Sequence, residues 1–315
     1  MEYNKAIADF GLDERIEGFY ILQSVDSKLD KNGNPYLMIT LTDASGSIDS
    51  KAWNYAGPIG KECNGKIAKI RGTVREYNGS LQMNIEKIRL PEEGDSYDLS
   101  ALVPCAPIEA DDSYIKLMTL VDSIEDNDYR GICKAIFDKY GEQFKVMPAA
   151  KSVHHAFISG LLMHTLNMAE TADFFADLYY DVVDRSLLLA GTILHDIAKI
   201  HEFAVSELGL ATDYTVKGEL LGHLVMGASI VSEAARSLNV PEDKSVLLQH
   251  MILSHHGNPE YGAAVVPAFV ESELLSLIDK VDSRMEIYRE VHEEVPAGEF
   301  SKKIFALEKR IYHHK

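Results

Sequence analysis

Leu194-His195-Asp196-Ile197-Ala198-Lys199 decides how this chain is read. A histidine is followed at once by an aspartate at the end of an apolar run. The residues before it, Ser186-Leu187-Leu188-Leu189-Ala190-Gly191-Thr192-Ile193, are apolar nearly all round, which predicts a helix inside a domain. A carboxylate in that setting needs partners, because an unpaired buried charge is costly. A metal ion suits an imidazole and a carboxylate side by side. Lys199 follows Asp196 by three positions and His195 by four, so it projects from the same end of the helix.

The company of the pair gives it meaning. The chain has twelve histidines, and His154, His155, His164, His195, His201, His223, His250, His255 and His256 fall between residues 154 and 256. None precedes His154. A long helix is predicted from Val153 to Tyr179, with Phe157, Leu161, Met168 and Phe175 on its apolar face and His164 among them. His223 lies in Gly222-His223-Leu224-Val225-Met226-Gly227. His255 and His256 end a helix over Val246–Leu253, just before Gly257, a plausible helix stop. In the last helix, Glu271 to Tyr288, Asp279 sits between Ile278 and Val281, where a carboxylate is out of place without a partner. Asp282 either shares its face or is a solvated neighbour.

Together these give His164, His195, Asp196, His223, His255, His256 and Asp279 on five helices. Imidazole and carboxylate ligands without thiolate suit Mn, Fe, Co, Ni or Zn. Seven potential ligands exceed the need of one ion, whereas two ions bridged by Asp196 would use them all. A metal pair about 3.5–4 Å apart is the standard machinery of phosphoester cleavage. Lys199 would stabilise charge on the attacked phosphate. His154 or His155 would protonate the leaving oxygen, packing or phosphate binding being the competing roles for both. His201 and His250 are expected to be structural, and His292, His313 and His314 to lie at the surface.

Working outward, residues 111–315 read as helical throughout, and residues 15–90 read differently. Ile16–Val25, Tyr36–Leu41, Ser47–Trp53, Lys66–Val74 and Leu81–Ile88 have strand character, and Asp30–Asn34, Asp43–Gly46 and Tyr77–Gly79 are turns. Five short strands in that length predict a five-stranded OB-like barrel. Residues 1–14 read as a polar lead-in, and residues 91–110, with Pro91, Pro104 and Pro107, as a linker. The fold class is therefore a multi-domain α and β protein, a small barrel followed by an all-α metal domain.

The formal net charge is −18, which argues against indiscriminate binding to polyanions. Residues 15–90 nevertheless hold eleven Lys/Arg against eight Asp/Glu, a net +3, so the barrel is the part suited to a nucleic acid. Tyr36, Trp53 and Tyr77 with Lys51, Arg71 and Arg75 are its candidate single-strand contacts. Cys63, Cys105 and Cys133 are scattered, with no Cys-x-x-Cys spacing, which suits a reducing cytoplasm. No apolar run reaches the roughly 20 residues of a membrane span. The number of subunits, a homo-oligomer included, is left open.

The set His164, His195–Asp196 and Asp279 resembles the HD superfamily of metal-dependent phosphohydrolases. In that resemblance those four bind the first metal, His223 and His255–His256 look like second-metal ligands of the binuclear branch, and Lys199 matches a recurrent lysine. The layout of barrel plus HD domain resembles the YhaM-type 3′-to-5′ exoribonucleases of Gram-positive bacteria. Val153–Leu161, Leu221-Gly222-His223, Leu248–Gly257 and Ile278–Asp282 carry that likeness. It implies manganese-stimulated release of nucleoside 5′-monophosphates from RNA 3′ ends, with single-stranded DNA as a further substrate class. The rival readings are a phosphohydrolase of small nucleotides or cyclic dinucleotides with a regulatory barrel, and an RNA-binding protein with a relic site. The Gly-Tyr-Pro tripeptide of the cyclic-dinucleotide branch is absent, since Gly262 follows Tyr261 and the next proline is Pro267.

Overall fold

The computed structural model describes every residue except 1, 78, 104, 151–156, 206–207 and 210. Two compact units emerge, residues 1–105 with 205–210, and residues 106–204 with 211–315.

The first unit is a closed barrel. Its strands are β1 (Glu2–Tyr3), β2 (Arg15–Leu29), β3 (Pro35–Asp43), β4 (Gly46–Trp53), β5 (Ile67–Tyr77) and β6 (Ser80–Arg89), in the order β1-β2-β3-β4-β6-β5 with β2 also paired to β5. β2 is long enough to serve both neighbours. It pairs with β5 through Arg15–Ile21 and with β3 through Ile21–Leu29, and it changes register between Leu22 and Ser24. Such an irregularity lets one strand bend from one side of a barrel to the other. The parallel pairing Ser50↔Met83 and Lys51↔Asn84 completes the circuit. Alternation puts Ile16, Tyr20, Leu22, Leu37, Ile39, Leu41, Val74 and Met83 inside.

Two boundaries differ from the sequence reading. Residues 1–14 are not a lead-in. β1 pairs in parallel with β2, and Ile7 and Phe10 enter the barrel core. Their anchor is Asp43, which accepts hydrogen bonds from the Ile7 and Ser45 backbone N–H groups. The first part of the expected linker is also structured. It contains α1 (Leu99–Leu102), and Leu102 and Val103 are buried.

The second unit is built from α2 (Ala110–Asp122), α3 (Asn127–Val146), α4 (Gly160–Leu178), α5 (Arg185–Leu194), α6 (Lys199–Glu202), α7 (Val216–Ser237), α8 (Glu242–Ser254) and α9 (Val270–Glu294). Side-chain caps start several of them. Asp126 accepts from the Asp128 and Tyr129 N–H groups, Asp184 from Leu187 N–H, and Thr215 from Gly218 N–H. α5 is buried along nearly its whole length, as its all-round apolarity predicts, and packs against α4 and α9 in one core. The all-helical expectation needs one correction. β7 (Phe203–Val205) and β8 (Ala211–Tyr214) form a two-stranded sheet too short to show a periodicity in sequence. α4 starts at Gly160, later than the expected Val153, and Phe157 precedes it.

Candidate metal centre and barrel face

The seven expected ligands converge. His164 stands on α4, His223 on α7 and Asp279 on α9. His195–Asp196 and His255–His256 lie not on helices but just past the ends of α5 and α8. That position matters, because the last carbonyls of a helix lack intrahelical partners. The Nδ1–H of His195 donates to Thr192 O at 2.7 Å, and that of His255 donates to Ile252 O at 2.8 Å. Each ring is thereby held as the Nδ1–H tautomer with its Nε2 lone pair aimed into the cluster.

The other two inner rings are oriented by carboxylates. His164 Nδ1 is 2.7 Å from Asp282 Oδ2. His223 Nδ1 lies 2.9 and 3.0 Å from the two oxygens of Glu202, which also accepts the His223 backbone N–H at 2.9 Å. That double contact is possible because α7 breaks at Gly222, where φ is 68° and ψ 161°. Side chains other than glycine's avoid this region. At the end of α8 the stop is Gly257, with φ of 80°.

Asp196 sits between two groups. It is 2% exposed, and His195 is 0% exposed. Its Oδ2 lies 2.6 Å from Lys199 Nζ, 3.2 Å from His195 Nε2 and 3.8 Å from His164 Nε2. Its Oδ1 points the other way, 3.5 Å from His223 Nε2 and 3.7 Å from His255 Nε2. Asp279 Oδ1 is 3.5 Å from His164 Nε2. The ligand atoms of His164, His195 and Asp196 lie within 4.8 Å of one another, and so do those of His223, His255 and His256. Asp196 thus offers one oxygen to each half of the cluster.

The electrostatics ask for cations. Burial pushes the Asp196 carboxyl up, but Lys199, His195 and His223 more than offset it and hold it well below the carboxylate range. Burial lowers the Lys199 ammonium, and Asp196 reverses that, leaving it raised. His255 is held well below its ordinary value, first by burial and then by the neighbouring imidazoles. His256 is lowered for the same first reason. Burial lowers the His195 ring, but Asp196 beside it outweighs that and leaves it raised. The cluster thus sets an ionised carboxylate beside two rings, His255 and His256, that resist protonation. Asp196 Oδ1, His223 Nε2 and His256 Nδ1 are buried without a hydrogen-bond partner. The Nε2 atoms of His164 and His195 face each other at 3.2 Å. Unpaired buried acceptors are expensive, and divalent cations would satisfy all of them. The donor set fits such ions.

Sequence reasoning missed Glu202 entirely, since nothing in its local pattern sets it apart. Asp282 had a signal, three residues past Asp279 on one helix. The carbonyls of Thr192 and Ile252 also had one, each three residues before its histidine at a helix end. Two expected structural histidines lie outside the cluster. His201 packs edge-on against Tyr140, and His250 Nε2 accepts the Ala268 N–H at 3.1 Å. His154 and His155 lie outside the described residues.

On the barrel, Tyr36 of β3 pairs across from Trp53 of β4, with ring centroids 4.8 Å apart. Lys51 Nζ lies 5.5 Å from the Trp53 ring and 4.8 Å from that of Tyr77. These four therefore form one aromatic and cationic surface. The two arginines are engaged elsewhere. Arg71 binds Glu17 at 2.6 Å, and Arg75 pairs with Asp13. Tyr55 accepts the Ile59 N–H with its hydroxyl and is a scaffold residue.

Comparison with known proteins agrees with this anatomy. The HD domain family matches residues 161–284, and the family of OB-fold nucleic acid binding domains matches residues 21–91. The chain is 34% identical to the 3′-5′ exoribonuclease YhaM of Geobacillus sp. (strain WCH70) over 311 residues, 98% of this chain and 94% of the relative. Among solved structures, the second OB-fold domain of replication protein A from Methanococcus maripaludis matches 31% of this chain and 100% of its own, at 17% identity and a TM-score of 0.23. An OB domain from Thermoplasma acidophilum matches 31% of this chain and 92% of its own, at 12% identity and a TM-score of 0.25. At those scores the barrel's assignment rests on its strand order and its family match.

Proposed function

The chain belongs to the family of YhaM 3′-5′ exoribonucleases, and from that premise we propose that it is a divalent-metal-dependent hydrolase that releases nucleoside 5′-monophosphates from the 3′ ends of single-stranded RNA. The observation that carries the reading is Asp196, a buried carboxylate with one oxygen facing each half of a complete ligand set.

His164, His195, Asp279 and Asp196 Oδ2 would hold one cation, and His223, His255, His256 and Asp196 Oδ1 the other. Such a pair activates a water and neutralises the charge that builds on a phosphodiester. Manganese is the proposed metal, from the family resemblance. The protein's own groups do the rest. Thr192 O, Ile252 O, Asp282 and Glu202 fix the rings, so the donors need no rearrangement during the reaction. Lys199, whose ammonium lies 2.6 Å from Asp196 Oδ2 at the edge of the cluster, would stabilise charge on a non-bridging phosphate oxygen. The proton for the leaving 3′ oxygen is assigned to His154 or His155 on sequence grounds. Tyr36, Trp53, Tyr77 and Lys51 would stack and neutralise single-stranded RNA on the barrel, in keeping with the OB-fold nucleic acid binding family it matches.

Metal-stripped protein given RNA labelled at its 5′ end and then Mn²⁺ tests this. A ladder of shortening labelled strands, absent with Asp196→Ala, is expected. Intact RNA with turnover of a small phosphodiester would replace the exoribonuclease reading by a nucleotide phosphohydrolase. Immediate release of labelled mononucleotide would reverse the polarity.

A further inference from the structure

Residues 298–313 of the second unit fold back on themselves as a short antiparallel arm. Phe300 bridges Tyr312, and Ile304 bridges Lys309. The Ser301 N–H donates to Ile311 O at 2.8 Å, and the Ile304 N–H to Lys309 O at 2.9 Å. The arm is anchored. Ile311 is buried with Ile287 and Val291 of α9, and Ile304 and Leu307 pack on that cluster. Alternation then sorts its faces. Ser301 and Ile311 point in, while Phe300, Lys302, Arg310 and Tyr312 point out. The outer face thus carries two aromatics and two cations, with the Phe300 and Tyr312 rings 5.0 Å apart and the Arg310 guanidinium 5.0 Å from the Phe300 ring. At the turn, Phe305 is 95% exposed.

Two features make this surface unusual in this chain. Residues 298–313 hold Lys302, Lys303, Lys309 and Arg310 against Glu299 and Glu308, a net +2 in a chain of net charge −18. Among the described residues none of the four forms an ion pair, although Lys134, Lys145, Arg185 and Lys244 elsewhere in the same unit all do. Arg310 Nε donates to Ser301 O and Lys309 lies 5.7 Å from the Tyr288 ring, which leaves Lys302 and Lys303 as the solvated cations of the arm. Cations without acidic partners interleaved with aromatic rings are the composition of single-strand binding surfaces. A fully exposed phenylalanine is otherwise a liability. The arm's anchor also places it. Val291 follows Asp282, the partner of His164, by nine residues on α9. That is about 14 Å along the helix at 1.5 Å per residue, or roughly four stacked nucleotides of one strand.

We propose that this arm is a second single-strand RNA platform, carried by the metal-binding unit itself, which grips the substrate a few nucleotides on the 5′ side of the bond being cut. The proposal rests on the reading of RNA as substrate. Phe305 offers both ring faces to a base, Phe300 and Tyr312 offer one each, and Lys302 and Lys303 meet phosphates.

The variants Phe305→Ala, Lys302→Ala/Lys303→Ala and Phe305→Trp of the full chain provide the test. None alters a buried or paired side chain. Affinity for a long single-stranded RNA is read by fluorescence anisotropy in metal-free buffer, where the strand stays intact. Phe305→Ala should weaken binding about five-fold or more, the usual loss for one base stack, and Phe305→Trp should retain it. The double lysine variant should lower the salt slope of binding by about 1.4, at roughly 0.7 per phosphate contact on a single strand. With Mn²⁺ present, KM for the long RNA should rise in the same variants while turnover of a small nucleotide phosphodiester stays unchanged. Unchanged RNA affinity in Phe305→Ala and in the lysine variant would overturn the proposal. So would unchanged affinity accompanied by loss of self-association in size-exclusion chromatography, which would assign the arm to contacts between copies. Because anisotropy needs no turnover, the platform is tested even if the wild-type protein fails to trim RNA, a result that would count against the exoribonuclease reading alone.

Discussion

Replacing Glu202 by alanine should weaken one metal and spare the other. The carboxylate makes contacts of 2.9 and 3.0 Å to the His223 ring and 2.9 Å to its backbone N–H, in a site only 6% exposed. Without it the ring loses both its tautomer lock and its orientation, while Gly222 leaves the backbone free to move. Loss of such an outer partner typically costs 10–100-fold in metal affinity, or about 1.4–2.8 kcal/mol at roughly 1.4 kcal/mol per decade. The half built on His164, His195 and Asp279 has no contact with Glu202 and keeps its orienting groups, Thr192 O and Asp282. Calorimetric titration of metal-stripped protein with Mn²⁺ should therefore resolve two equal or near-equal classes in the wild type and two separated classes in Glu202→Ala. Glu202→Gln, which keeps the volume and one acceptor oxygen, should fall between. If both classes weaken together, or neither does, the division of the cluster into two half-sites is wrong.

Gly222→Ala should lower the melting temperature and the affinity of the same half-site, since a side chain at φ 68° and ψ 161° costs about 1–3 kcal/mol, and calorimetry with a thermal scan reads both. Adding Mn²⁺ at about 100 times its Kd to stripped protein should stabilise it by about 2.7 kcal/mol per site, and thermal scans of Asp196→Asn should lose most of that gain. Asp126 caps α3 and pairs with Lys244 at 2.5 Å. Burial pushes its carboxyl up, but Lys244 and the Tyr129 and Asp128 amides leave it below its usual value. A depressed folded value contributes stability above the unfolded value of about 3.9 that disappears as pH falls through the folded one. Asp126→Asn should therefore destabilise by about 1 kcal/mol at neutral pH and by almost nothing in strong acid, as urea midpoints against pH would register.

The convergence of the candidate ligands was legible in sequence because each of them breaks a local rule. His164 and Asp279 interrupt apolar helix faces, and His195–Asp196 and His255–His256 follow runs too apolar to end in water. The barrel was legible from its two-residue period and turn residues. Glu202 was not, because its meaning depends on a kink in α7 and on a tertiary contact to His223, 21 residues on. The place of residues 1–14 was hidden for a similar reason. Ile7 and Phe10 show no periodicity of their own and are ordered by Asp43, 36 residues from Ile7. Arg71 and Arg75 looked available to a nucleic acid because sequence cannot reveal that Glu17 and Asp13 stand across from them. The pairing of Tyr36 with Trp53, by contrast, needed only the turn between their strands.

Asp196 turns one carboxylate oxygen to each half of the cluster, which predicts two metal sites with this residue between them. Anomalous diffraction from crystals of the full chain loaded with Mn²⁺ would locate the ions. Two peaks about 3.5–4 Å apart are expected, one on each side of the Asp196 carboxylate, the first against His164, His195 and Asp279 and the second against His223, His255 and His256. A single peak, or two peaks with Asp196 bound to only one of them, would rule out a metal pair bridged by Asp196.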